Sequence, residues 1–160
     1  LHDFDCLFRA RLVLDSGGEF TYFSEVGVRC NAASLCPCSK EISDYGAHNQ
    51  RSTITITTEP IVGGPRVWFE DLVEVAERAA SCALYPILKR PDERYVTMRA
   101  FDNPVFVEDI VREVCRELCV LVPNTIRGFR VSSINQESIH NHNACARISV
   151  GSFQMPPYWV

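Results

Sequence analysis

Five stretches read as strands, and where apolar and polar residues alternate with a period of two they mark a strand with one buried face. "CLFRARLVLD" (6–15) carries Leu7, Ala10, Leu12 and Leu14 in imperfect alternation. "FTYFSEVGVRC" (20–30) is rich in aromatic and β-branched residues, and "RSTITITTE" (51–59) sets Ile54 and Ile56 between threonines. "IRGFRVSSI" (126–134) and "ACARISV" (144–150) complete the set, the latter placing Ala144, Ala146, Ile148 and Val150 on one side. "SGGE", "PIVGGP" and "PNT" read as the intervening turns.

Two stretches change to helical spacing. Residues 67–89 place Phe69, Leu72, Val73, Ala76, Ala80, Ala83 and Leu84 on one face, with Pro86 near the end and Pro91 as the stop. Residues 103–121 repeat the pattern through Val107, Ile110, Val111, Val114 and Leu118, with Asn103 as N-cap and Pro104 at the first helical position. "RPDERYVTMRAF" between them reads as a connector. The order from residue 20 to 150 is strand, strand, helix, helix, strand, strand. It predicts an α+β fold in which two helices cover one face of a four-stranded antiparallel sheet. Residues 17–150 would form this module, 1–16 an extra strand from a preceding module, and 151–160 a tail with Pro156 and Pro157.

Composition narrows the partners. A net charge of −4 over 160 residues argues against a nucleic-acid coat, yet leaves room for a small anion in a local basic pocket. No apolar run is long enough to span a bilayer, and no secretory signal pattern is visible. The chain begins at Leu1 rather than Met, as a fragment or processed product would. Its eight cysteines are an even number, but disulfide frameworks belong to short, loop-rich secreted chains. Cys115 and Cys119 sit four apart in a helical pattern, where thiols serve as small hydrophobes. A reducing cytoplasm fits better.

Candidate chemistry collects in three clusters. "LCPCSKEISDYGAHNQR" (35–51) holds Cys36, Cys38, Lys40 and His48 among further polar residues. One residue between thiols is too few for half a zinc knuckle. In extended chain Cys36 and Cys38 would address the same side, as buried thiols or as one wall of an open metal site. "KRPDERY" brings Lys89, Arg90 and Glu93, and "ESIHNHN" brings Glu137, His140 and His142. Singly, these read as a charged surface connector and a polar loop. Together they supply sulfur, nitrogen and oxygen donors suited to zinc and similar divalent ions, with basic side chains that suit phosphates.

These clusters, with "NPVFVEDIVREV", closely resemble the type IB GTP cyclohydrolases, in order from about residue 20 to 150. The resemblance implies the tunnelling fold, whose unit is the ββααββ order read above. It implies conversion of GTP and water to 7,8-dihydroneopterin triphosphate and formate, the first step toward tetrahydrofolate and, in many bacteria, queuosine. A divalent metal is implied, zinc or manganese, with ferrous iron also compatible. So is a homo-oligomer, a tetramer, with sites between subunits.

Carried over by motif, Cys36, His48, Glu93 and His140 are the implied metal ligands, and Cys36, His48 and Glu137 the catalytic set. Glu108 would anchor the guanine edge, with Cys38, Lys40, Lys89 and Arg90 around the substrate. Family members are usually longer, with two modules in tandem, and Met98 stands where a glutamate is common. Rival readings are an archaeal-type enzyme giving a 2′,3′-cyclic phosphate, a non-catalytic purine- or pterin-binding protein, and a zinc-stabilised structural domain.

Overall fold

The computed structural model describes residues 3–121 and 124–151. The elements run β1 (Phe4–Leu14), β2 (Phe20–Leu35), α1 (Pro37–Ile42), β3 (Asn49–Pro60), α2 (Phe69–Ala79), β4 (Cys82–Ala83), α3 (Arg90–Asp102), α4 (Val107–Leu121), β5 (Ile126–Gln136) and β6 (Ala144–Val150). The sheet is antiparallel in the order β1-β2-β3-β5-β6, with β4 paired to β2. Alternation decides its two faces. Inward positions of β2, β3 and β5, among them Val28, Ile54, Ile56 and Val131, are fully buried. They meet Leu72, Val75 and Ala76 of α2 and Ile110, Val114 and Leu118 of α4 in one core. The helical stripe predicted for residues 107–118 is buried throughout. The outward face is polar, and Arg9, Glu25, Arg29, Arg130 and Arg147 line a groove along it.

The α+β class and antiparallel sheet stand, but the chain has more elements than the expected alternation. The helix expected over 67–89 stops at Ala79, where Ala80 turns extended. Ser81 then donates its N–H to the Ala33 carbonyl, its hydroxyl accepts from the Leu35 N–H, and Cys82 and Ala83 pair with Ala33 and Ala32. β4 thereby satisfies the backbone of β2 just past Phe4↔Cys30, the last β1 pair. Small residues at 79–83 fit either a helix or this close approach, and tertiary pairing decides between them.

The expected connector is the helix α3. Asp92 accepts the Lys89 backbone N–H at 2.9 Å, closing the first turn. Pro91 lies in that turn, where its missing N–H costs nothing, so it starts a helix rather than stopping one. Asn103 is the C-cap of α3, not the N-cap of α4. Its side chain donates to the carbonyls of Ala80 and Ser81 at 3.0 and 3.3 Å, tying the end of α3 to β4.

The hairpin between β1 and β2 turns as expected. Asp15 Oδ1 accepts from the N–H groups of Gly17 and Glu19, and Gly18 takes the positive φ of 81°. β2 and β5 run farther than their patterns predicted, to Leu35 and Gln136. Most of the expected tail, with Pro156 and Pro157, lies outside the described residues.

Candidate functional site

Those strand extensions deliver the first cluster. Leu35 and Asn49 are partners at one end of the β2–β3 ladder, so Cys36 leaves one strand where His48 enters the other. The Cys36 N–H donates to the His48 carbonyl at 3.3 Å. Ser39 joins the two residues: its hydroxyl donates to the Cys36 carbonyl at 3.0 Å and accepts the His48 N–H at 3.2 Å. The next strand closes in from the other side, with Arg51 opposite Gln136. Just beyond Gln136, the Ser138 hydroxyl lies 3.1 Å from His48 Nδ1. Glu137, between them, is half-buried.

Cys36 is extended, as the following proline dictates. Cys38, however, sits in the first turn of α1, because Pro37 is also well suited to open a helix. The expected extended geometry with both thiols on one side is therefore absent. Cys36 is half-buried and Cys38 exposed. All eight cysteines are free. Burial pushes the Cys30 thiol up to about 12, with Glu77 adding to the rise, and chiefly burial raises Cys82 and Cys115. Those three stay protonated and inert at neutral pH.

The remaining candidates spread around this centre. His140 and His142 share a side, their rings stacked at 5.2 Å, but in a bend rather than a strand. Glu93 is on the first turn of α3, paired with Arg90 at 3.2 Å. Lys89 and Arg90 are exposed at that helix's start. Lys40 is turned away to the end of α3, where it donates to the Phe101 carbonyl and sits 4.3 Å over the Phe101 ring. Glu108 is exposed in the first turn of α4, where the helix dipole favours a carboxylate. Among the described residues, no three His, Cys, Asp or Glu side chains gather closely enough to hold a metal ion.

Beneath the site lies a buried polar network that the sequence reading passed over. Asn135 is 2% exposed. Its Nδ2 donates to Ser34 Oγ and Gln50 Oε1, both at 3.3 Å. Its Oδ1 accepts from Ser52 at 2.6 Å and Ser133 at 3.4 Å. Two donors and two lone pairs are thus all used. Ser34 continues the chain by donating to the Val105 carbonyl at 3.2 Å, and Val105 returns its N–H to the Leu35 carbonyl at 3.1 Å. The signal was present as polar residues at inward positions of strands whose other inward positions are apolar.

A family model described as type I GTP cyclohydrolase folE2 matches residues 1–146. The chain is similar to GTP cyclohydrolase FolE2 of Thermotoga sp. (strain RQ2), 51% identical over 135 residues, which is 84% of this chain and 50% of the relative. The protein of the same description from Nitrosococcus oceani is 56% identical over 115 residues, 72% of this chain and 41% of the relative. That from Aromatoleum aromaticum is 49% identical over 148 residues, 92% of this chain and 51% of the relative. The chain spans about half the length of the curated relatives it matches.

Proposed function

The chain belongs to the type I GTP cyclohydrolase FolE2 family, and from that premise we propose that it carries the reactive half of a type IB GTP cyclohydrolase. The reaction is conversion of GTP and water to 7,8-dihydroneopterin triphosphate and formate, opening tetrahydrofolate synthesis. One observation carries the reading. Cys36, His48 and Ser138, from the two motifs richest in donors, are joined across three segments by Ser39 and the strand ends. The antiparallel sheet with α2 and α4 on one face is compatible with a tunnelling fold, which is the finer assignment proposed.

The roles follow from chemistry. Opening the purine's imidazole ring at C8 and releasing formate needs protons delivered and removed at neutral pH. His48, oriented by Ser138, and the half-buried Glu137 are the groups to move them. Cys36 sits beside His48 as a sulfur donor. Glu108 offers two acceptor oxygens to the paired N–H groups of guanine. Cys38 lies nearby on α1, and Lys40, Lys89 and Arg90 supply charge for the triphosphate. A divalent metal, zinc or manganese, with ferrous iron also compatible, belongs to the proposal on Cys36, His48, Glu93 and His140. Such an ion would supply Lewis acidity. These donors do not form a cage in the single chain, so no step is assigned to it.

A homotetramer with sites between subunits, a cytoplasmic location, a supply to queuosine synthesis and a preceding module that includes residues 1–16 complete the proposal. No described helix is long and apolar enough to cross a membrane.

The test is incubation of the protein with GTP and Zn²⁺, Mn²⁺ or Fe²⁺, reading pterin fluorescence after oxidation, formate and product mass. The expected product is the linear triphosphate; a 2′,3′-cyclic phosphate would assign the archaeal-type reaction instead. Cys36→Ala and His140→Ala should each abolish turnover with the fold intact. A folded oligomer that makes no pterin with any of these metals overturns the assignment.

A further inference from the structure

We infer that Asn135 is the positioning residue of this site, holding in register the strand ends from which its reactive side chains emerge; the inference rests on the function proposed above. Three members of the network lie two residues from a proposed functional group, and a fourth contact reaches within three of another. Ser34 is two residues before Cys36, Gln50 is two after His48, and Asn135 is two before Glu137. The fourth arm runs from Ser34 to the Val105 carbonyl, three residues before Glu108. One amide therefore links β2, β3 and β5 through four hydrogen bonds that use its full capacity, and Ser34 carries the link on to the entrance of α4.

The network is specific because its members are buried. Ser34, Ser52 and Ser133 are fully buried and Gln50 is 7% exposed, so water is a poor substitute for a lost partner. A change at Asn135 leaves buried groups on three strands seeking new partners. The strand ends can meet that need only by shifting, and Cys36, His48 and Glu137 shift with them. The amide itself does not reach the surface and touches no substrate.

The experiment compares wild type with Asn135→Asp, which keeps the shape but removes both N–H donors, and with Asn135→Leu. Ser52→Ala, which deletes only the shortest bond, is the milder variant should either fail to fold. Two readouts are taken below the unfolding midpoint. Kinetics with GTP should show kcat falling about 100-fold with KM nearly unchanged, as a displacement of about 1 Å in reacting groups would produce. For Ser52→Ala the fall should be about tenfold.

Native-state amide exchange should speed up at Cys36 and Val105, whose N–H groups bond across the site, while Val28 and Ile56 in the apolar core keep their protection. Uniform loss of protection everywhere, or unchanged exchange at Cys36 and Val105, overturns the inference. So does an unchanged kcat in an active protein. A wild type that makes no pterin, with variants that still show the localised rise in exchange, sinks the proposed reaction and leaves the positioning role standing.

Discussion

The inward face of one sheet is built in two ways. Over its middle, Val28, Ile54, Ile56, Phe129 and Val131 meet α2 and α4 in an apolar core. Toward the site, the same strands on the same face carry Ser34, Gln50, Ser52, Ser133 and Asn135. Both ends are buried. The apolar end is held by packing, which tolerates small displacements and resists loss of volume. The polar end is held by directional bonds with fixed partners, and half-satisfied it is worse than no network. Stability and placement are therefore assigned to different ends of the same three strands.

Ile110→Ala breaks the apolar end. Ile110 is fully buried in α4 against the sheet. Truncation should cost about 2–5 kcal/mol in a denaturant titration, while kcat for GTP stays near wild type in the folded protein. A large loss of kcat with little loss of stability would erase the division of labour.

Ser34→Ala breaks the polar end with a smaller energetic effect. It strips an acceptor from Asn135 and a donor from the Val105 carbonyl. The expected loss of stability is about 1–3 kcal/mol, with a larger fractional fall in kcat than Ile110→Ala gives. The contrast is in the ratio: the variant that costs less stability should cost more activity.

Cys30→Val sharpens the boundary through pH. Cys30 lies in the apolar core, its thiol pushed up to about 12 from an ordinary value of 9.0. Between those values the unfolded chain releases a proton that the folded chain keeps. The folded state then binds more protons, so stability falls as pH rises through this window. It is fully present below pH 9.0. The valine variant should lose this component of the alkaline decline and differ from wild type by under about 1.5 kcal/mol at neutral pH. Thermal unfolding of both proteins from pH 7 to 11 reads the difference, and parallel curves would remove the thiol from the account.

How much of this was legible follows the same division. Period-two and period-3.6 patterns report burial of apolar groups, so the strands, α2 in part and the stripe of α4 could be read directly. α3 could not: its only buried residue is Ala100, and it is placed by the Asp92 cap and Asn103 rather than by an apolar face. The end of α2 was invisible because alanine, serine and cysteine at 79–83 are as suited to β4 as to a helix. At the site, adjacency of Cys36 and His48 was readable as motif chemistry. Their link through Ser39, the reach of Ser138 to His48 and the Asn135 network depend on strand register, which local sequence does not state.

Lys40 tests where the site ends and the scaffold begins, with the smallest expected energy. Its ammonium donates to the Phe101 carbonyl near the C-terminus of α3 and lies over that residue's ring. Both contacts are partly solvated, so Lys40→Met, which keeps the aliphatic stem, should cost only about 0.5–1 kcal/mol of stability. The proposed phosphate contact predicts something else as well. Removing the charge weakens the bound substrate and its transition state alike, so KM for GTP should rise while kcat holds. Lys40→Arg should restore affinity more fully than it restores the link from α1 to the Phe101 carbonyl, because a guanidinium grips phosphate well but does not reproduce an ammonium's point contact with one carbonyl. A methionine variant with unchanged KM would confine Lys40 to the scaffold, joining α1 to α3, and move the boundary of the site inward to Cys36, His48 and Glu137.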